Sequence, residues 1–175
     1  EHVFDLKMLP DKVDDLRAEI GQLDDVFCAL GTTIRRAGSK EEFFEVDHDL
    51  VIALGECARS LQAGQFLVVS SLGADQKATQ FYLRVKGEME SSLKGLGFPR
   101  LLIFRPSLLK GDRDEFRPGE VISNLAMKAF APLVPAKFRP VAGDVLAQAM
   151  LRAADEAGEK LRIYESDEIR LLGSS

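Results

Sequence analysis

Tyr82 and Lys86 stand four residues apart in the stretch FYLRVKGE, residues 81–88. On a helix that spacing puts both side chains on one face, one turn above the other. A phenol ordinarily loses its proton near pH ~10, and an ammonium held beside it favours the phenolate. A tyrosine tuned in this way passes a proton to or from a carbonyl or an alcohol near neutral pH. The same spacing also arises by chance, as a half-buried tyrosine beside a solvated lysine, so the setting has to decide. Just upstream, QFLVVSSLGAD carries an apolar run over residues 66–69 that ends at Ser70 and Ser71. It reads as a buried strand whose carboxyl end presents hydroxyls, and ligands of open α/β sheets bind beyond the carboxyl ends of strands. The work then divides among three side chains: a serine holds a carbonyl oxygen, Tyr82 protonates it, and Lys86 tunes the tyrosine.

The elements that must position these groups follow in a regular order. Residues 1–6 resemble the end of a strand running into a turn. Residues 9–20 fit a helix, with Pro10 in its first turn and Val13, Leu16 and Ile20 on one stripe. Residues 24–30, DDVFCAL, are a buried strand followed at once by Gly31-Thr32-Thr33, a turn where a ligand can approach the backbone. Ser39 and Glu42 form a capping box for a helix to about residue 61, with Val46, Leu50, Leu54, Cys57 and Leu61 as its buried stripe. After the strand at 65–71 comes the Tyr82/Lys86 helix, which runs to about residue 96 and is closed by Gly97. Residues 100–104 are another buried strand, and a helix at 144–154 and a strand at 161–164 return to the sheet. This alternation predicts an α/β fold: a three-layer, Rossmann-like parallel sheet with helices on both faces and right-handed crossovers. Residues 107–140 break the rhythm with Pro118, Pro132, Pro135 and Pro140 around a helix at 120–130. That segment is expected to cap the substrate side.

With 175 residues, 46% hydrophobic and 29% charged, the chain suits a single domain spanning 1–175. Its net charge of −5 argues against a dedicated nucleic-acid binder, which would show a basic face. No apolar run approaches the ~20 residues a membrane span needs. Cys28 and Cys57 read as small core residues, and no Cys/His cluster suggests a metal. His48, with only aspartates beside it, reads as a surface helix residue. Cysteine usage and the missing secretory pattern point to a cytoplasmic protein.

The ordered segments CALGTT, VDHDL, FLVVSSLGAD, FYLRVKGE, FRPSLL and GDRDEFRPGE resemble the short-chain dehydrogenase/reductase superfamily, in particular the atypical branch that includes the HIV Tat-interacting protein and its bacterial relatives. The resemblance implies a Rossmann sheet binding NADP(H), with NAD(H) as the alternative. It implies Ser70 as the catalytic serine, with Ser71 the neighbouring candidate, Tyr82 as the general acid/base, and Lys86 on the nicotinamide ribose. Cofactor contacts implied by position are Asp5, Leu6, Leu30, Gly31, Arg105, Pro106, Leu109 and Arg117, besides Tyr82 and Lys86. Asp47 stands where many relatives carry an asparagine. Each has an ordinary structural alternative: Gly31 serves the turn, Arg105 pairs with a carboxylate, Arg117 is a solvated loop charge, and the serines close off the strand's polar groups. The family's glycine-rich G-x-x-G-x-x-G turn and first two strands would precede residue 1, so the chain is expected to be a fragment of a protein of about 210–220 residues. Two functions follow: a reductase of small carbonyls or alcohols, or an NADP(H)-sensing regulatory protein without catalysis. The expected partners are a small-molecule substrate and either a homodimer mate or a regulatory protein, with no nucleic acid and no membrane.

Overall fold

The structure, a computed structural model, describes residues 6–110 and 135–174. Four strands, β1 (Asp25–Cys28), β2 (Gln65–Val69), β3 (Arg100–Arg105) and β6 (Leu161–Glu165), form one sheet in the order β1-β2-β3-β6. Every pairing is parallel, in registers such as Val68↔Ile103 and Phe104↔Tyr164. The two central strands, β2 and β3, are buried on both faces, whereas the edge strands β1 and β6 are partly open to water, with Phe27 and Leu161 exposed. Between them lie α1 (Leu9–Ile20), α2 (Ile34–Ala37), α3 (Lys40–Phe44), α4 (Leu50–Ser60) and α5 (Phe81–Gly95), with α6 (Gly143–Asp155) and α7 (Ser166–Ser174) following. A small parallel pair, β4 (Leu109–Lys110) and β5 (Val141–Ala142), sits apart from the main sheet.

Alternation along the strands divides the core in two. Phe66, Val68, Leu101 and Ile103 pack against α4 and α5 through Val51, Ala58, Met89 and Leu93. Leu67, Leu102 and Phe104 face the other way, onto Leu146, Ala149, Met150 and Ala153 of α6 and Ile169 of α7. The expected three-layer α/β sandwich is thus the observed one. Gly97, at φ +68°, ends α5 in the left-handed conformation that glycine adopts without cost.

Residues 40–60 depart from expectation. The Ser39 hydroxyl does accept from the Glu42 N–H at 3.0 Å. The helix is interrupted, however, by a π turn at Glu45–Asp49 between α3 and α4. The extra residue rotates the pattern, so Phe43, Asp47, Val51, Gly55 and Ala58 are buried. Of the predicted stripe, Cys57 and Leu61 are buried, but they pack with Leu54 against α1, not against the sheet. His48, expected on the surface, is wedged between elements: Nδ1 lies 2.8 Å from Asp49, Nε2 lies 3.2 Å from Ser92 of α5, and the ring stacks on Phe44. Leu6–Met8 form a 3₁₀ turn, and residues 1–5 lie outside the described part, as does most of the expected cap. Cys28 and Cys57 are both free and buried, and burial pushes both thiols above their usual range. No helix among the described residues is long and apolar enough to cross a membrane.

Candidate active site

Three segments leave the carboxyl edge of the sheet side by side: 29–33 after β1, 70–72 after β2, and 106–109 after β3. The ladder continues briefly past the strands, with Ser70 N–H donating to Phe104 O at 2.7 Å and Leu72 N–H to Pro106 O at 3.0 Å. The Ser107 N–H and hydroxyl are taken by Ser166 Oγ and Arg139 O, which ties the third segment to α7 and to the turn at 136–139. Between the three segments opens a cleft of about 510 Å³, within the ~300–1,000 Å³ range of ligand sites.

Tyr82 enters this cleft from the first turn of α5. Its ring leans on the buried ring of Phe43, with centroids 5.8 Å apart, and 36% of the residue remains exposed. Gly87 lets α5 approach this closely: a Cβ there would run into the backbone of Asp75 and Gln76 in the loop that leads to Tyr82. Lys86 lies one turn on, only 4% exposed. Its ammonium meets Asp47 Oδ1 at 2.7 Å. The other carboxylate oxygen of Asp47 accepts the Thr32 N–H at 2.8 Å, so the π turn pins both the lysine and the loop after β1. Asp47 Oδ1 is met by charge alone and lacks an aligned hydrogen-bond donor.

Ser70 and Ser71 are both buried and both line the cleft. Ser70 Oγ donates to Glu90 Oε1 at 2.6 Å. Glu90, on the next turn of α5, also takes Arg105 Nε at 2.8 Å and Nη2 at 2.5 Å. These hydrogen bonds hold the Arg105 guanidinium above even its ordinary range.

Among the residues expected at the site, Ser70, Tyr82, Lys86, Leu30, Gly31, Pro106 and Leu109 share this cleft, together with Ser71 and Asp47. Leu6 is not among its lining residues; it packs against the cluster of Leu9, Leu16, Cys57 and Leu61. Arg105 is not among them either, because its guanidinium is engaged by Glu90. Asp5 and Arg117 fall outside the described residues. Thr32 and Thr33, of the turn where a ligand was expected to approach the backbone, line the cleft as well; Arg36 and Leu108 also line it and were not singled out from the sequence. Glu90 was missed as well, although a signal existed: it lies four residues past Lys86, on the same helical face.

No family model matches the chain. Among curated relatives, the protein fmp52 of Emericella nidulans is 44% identical over 95 residues, 54% of this chain and 41% of its own length. HTATIP2 of Rattus norvegicus is 42% identical over 123 residues, 70% of this chain and 49% of its own. The alignments thus span less than half the length of either relative. FMP52-1 of Scheffersomyces stipitis is 32% identical over 155 residues, 83% of this chain and 68% of its own. The chain belongs to the atypical short-chain dehydrogenase/reductase branch of HTATIP2 and Fmp52. Solved structures agree on the fold. RMD from Pseudomonas aeruginosa, complexed with NADPH, has a TM-score of 0.64 at 19% identity and covers 99% of this chain and 70% of its own. MoeE5, in complex with UDP-glucose and NAD, has a TM-score of 0.65 at 14% identity, covering 99% and 67%. The expected cytoplasmic location does not stand: the Emericella and Scheffersomyces relatives are named mitochondrial proteins. Organelle addresses are read from short targeting segments, which the composition of a folded body does not reveal.

Proposed function

We propose that this chain is an oxidoreductase that uses NADP(H), or NAD(H), to interconvert a small carbonyl compound and its alcohol. The observation that carries the reading is the convergence of Tyr82, Lys86 and two serines on one cleft at the carboxyl edge of a parallel sheet. The residues present fit a nicotinamide and its ribose. Gly31 contributes no side chain to the wall, Lys86 offers a cation, and Asp47 Oδ1 is a buried acceptor without an aligned donor. Solved structures of the same fold hold NADPH or NAD, which supports the choice of cofactor. Leu30, Gly31, Pro106 and Leu109 would contact the cofactor, and Lys86 its ribose. When bound, the cofactor supplies or accepts the hydride.

The chain itself manages the proton and the geometry. Tyr82, backed by Phe43, presents its hydroxyl as the proton donor to the nascent alkoxide, or as the acceptor in the reverse direction. The Ser70–Ser71 pair supplies the hydroxyl that holds the reacting oxygen. Asp47 keeps the Lys86 ammonium and the Thr32 amide in register across the cleft. The test is absorbance at the nicotinamide band, with NADPH or NADH and a panel of aldehydes, ketones and quinones. Tyr82→Phe should lower turnover by about 10²–10⁴-fold while leaving NADPH affinity nearly intact. Unchanged turnover in that variant removes Tyr82 from the mechanism, and tight NADPH binding without turnover of any compound would favour a cofactor sensor.

A further inference from the structure

Of the described residues that line the cleft, Arg36, Asp47 and Lys86 are charged. Asp47 and Lys86 offset each other, 2.7 Å apart and almost wholly buried. Arg36 has no such counterpart. Its backbone N–H is shared between Thr33 O at 2.9 Å and Thr33 Oγ1 at 3.2 Å, which ties the residue to the turn after β1. Its guanidinium, which only donates, makes no ion pair or hydrogen bond among the described residues and is exposed to water. The lining therefore holds a surplus positive charge in a molecule whose net charge is −5, and a cleft of that sign draws anions.

The distribution of donors points the same way. Thr33 Oγ1 accepts from Arg36 and keeps its own hydrogen to donate. Across the cleft, Ser107 has spent its N–H on Ser166 and its hydroxyl hydrogen on Arg139 O, so that wall is left to Pro106, Leu108 and Leu109. One wall thus offers a cation and a hydroxyl, the other an apolar surface. The part of the cofactor assigned to this cleft, the nicotinamide and its ribose, brings no negative group for Arg36.

Resting on the oxidoreductase reading, we propose that the substrate carries an oxyanion, a carboxylate or a phosphate, besides its reacting carbonyl, and that Arg36 binds it together with the Thr33 hydroxyl. A guanidinium fork suits either group. Arg36 then sets substrate choice, and the apolar wall takes the uncharged body of the same molecule.

The experiment uses the full chain with NADPH and two matched pairs of probes: para-formylbenzoate with its methyl ester, and glyceraldehyde phosphate with glyceraldehyde. Wild-type protein should favour the anion in at least one pair by about tenfold in kcat/KM, the value of a charge-assisted contact weakened by water. The preference should shrink in 1 M salt. Arg36→Gln should bring the ratio close to one, Arg36→Glu should invert it, and Arg36→Lys should keep part of it. A merely structural role would lower both members of a pair together and leave the ratio unchanged. Equal use within both pairs by wild-type protein overturns the proposal. So does an Arg36→Gln variant that keeps the ratio but binds NADPH more weakly, because the anion is then the cofactor's own. The thermal midpoint with saturating NADPH gives a second readout: the favoured anion should raise it more than its neutral mate does, in wild type and not in Arg36→Gln. Failure of the oxidoreductase reading looks different, since no probe is then reduced while the midpoints still show whether Arg36 holds an anion.

Discussion

Helix α5 carries two buried ions one turn apart, Lys86 and Glu90, and the contrast between their surroundings separates site from scaffold. They could have paired with each other, as residues four apart on a helix often do. Instead each reaches across to another element. Lys86 meets Asp47 of the π turn at 2.7 Å. Glu90 meets Arg105, at the end of β3. Around Glu90 the carboxylate accepts three hydrogen bonds, one from Ser70 and two from the guanidinium, with Lys94 farther off at 3.7 Å. Around Asp47 one oxygen has the Thr32 amide while the other has only the lysine's charge. A buried ion pair is tolerable when its remaining hydrogen-bonding capacity is met. The Glu90–Arg105 pair behaves as a clamp between α5 and β3; the Asp47–Lys86 pair lies on the cleft wall.

The sharpest way to break this contrast is to truncate the clamp. Glu90→Ala strands Arg105 and should cost about 3–5 kcal/mol of stability, read as the urea or thermal midpoint. A loss under about 1 kcal/mol would show that Arg105 hydrates freely and that the pair is no clamp. Next comes Asp47→Asn, which keeps an acceptor for Thr32 but removes the charge opposite Lys86. Its cost in stability should be smaller, about 1–3 kcal/mol, while turnover falls by up to about 10²-fold as the lysine loses its aim. Equal losses in stability for the two variants, with turnover untouched in Asp47→Asn, would erase the distinction. The smallest effect belongs to Lys94→Ala. At 3.7 Å from Glu90 and 37% exposed, Lys94 should contribute less than about 1 kcal/mol, and that contribution should fade in 1 M salt.

Local pattern carried much of this into view. DVFC, QFLVV and RLLIFR announce strands because continuous apolar, β-branched runs suit sheets covered on both faces. Their alternation with helices implied parallel order. Tyr82 and Lys86 were visible as a pair because helical spacing is itself a sequence property. Asp47 was visible only as a departure from a family pattern, and its burial was not. A π turn has no repeat to betray it, and a stripe counted at 3.6 residues per turn runs past the extra residue. Leu6 illustrates the same limit: where an apolar residue goes depends on which surface is left uncovered, here the outer side of α4.

The residue order by itself determined the α/β class, the hydroxyls after β2 and the Tyr/Lys helix after them, because those depend on contacts only a few residues long. Which anion each buried cation would take, and that Ser70 would donate to Glu90, was decided only when β1, β2, β3 and α5 came together. Those choices depend on groups 15 to 39 positions apart in the chain, as Thr32–Asp47 and Asp47–Lys86 show, and no local preference reaches so far.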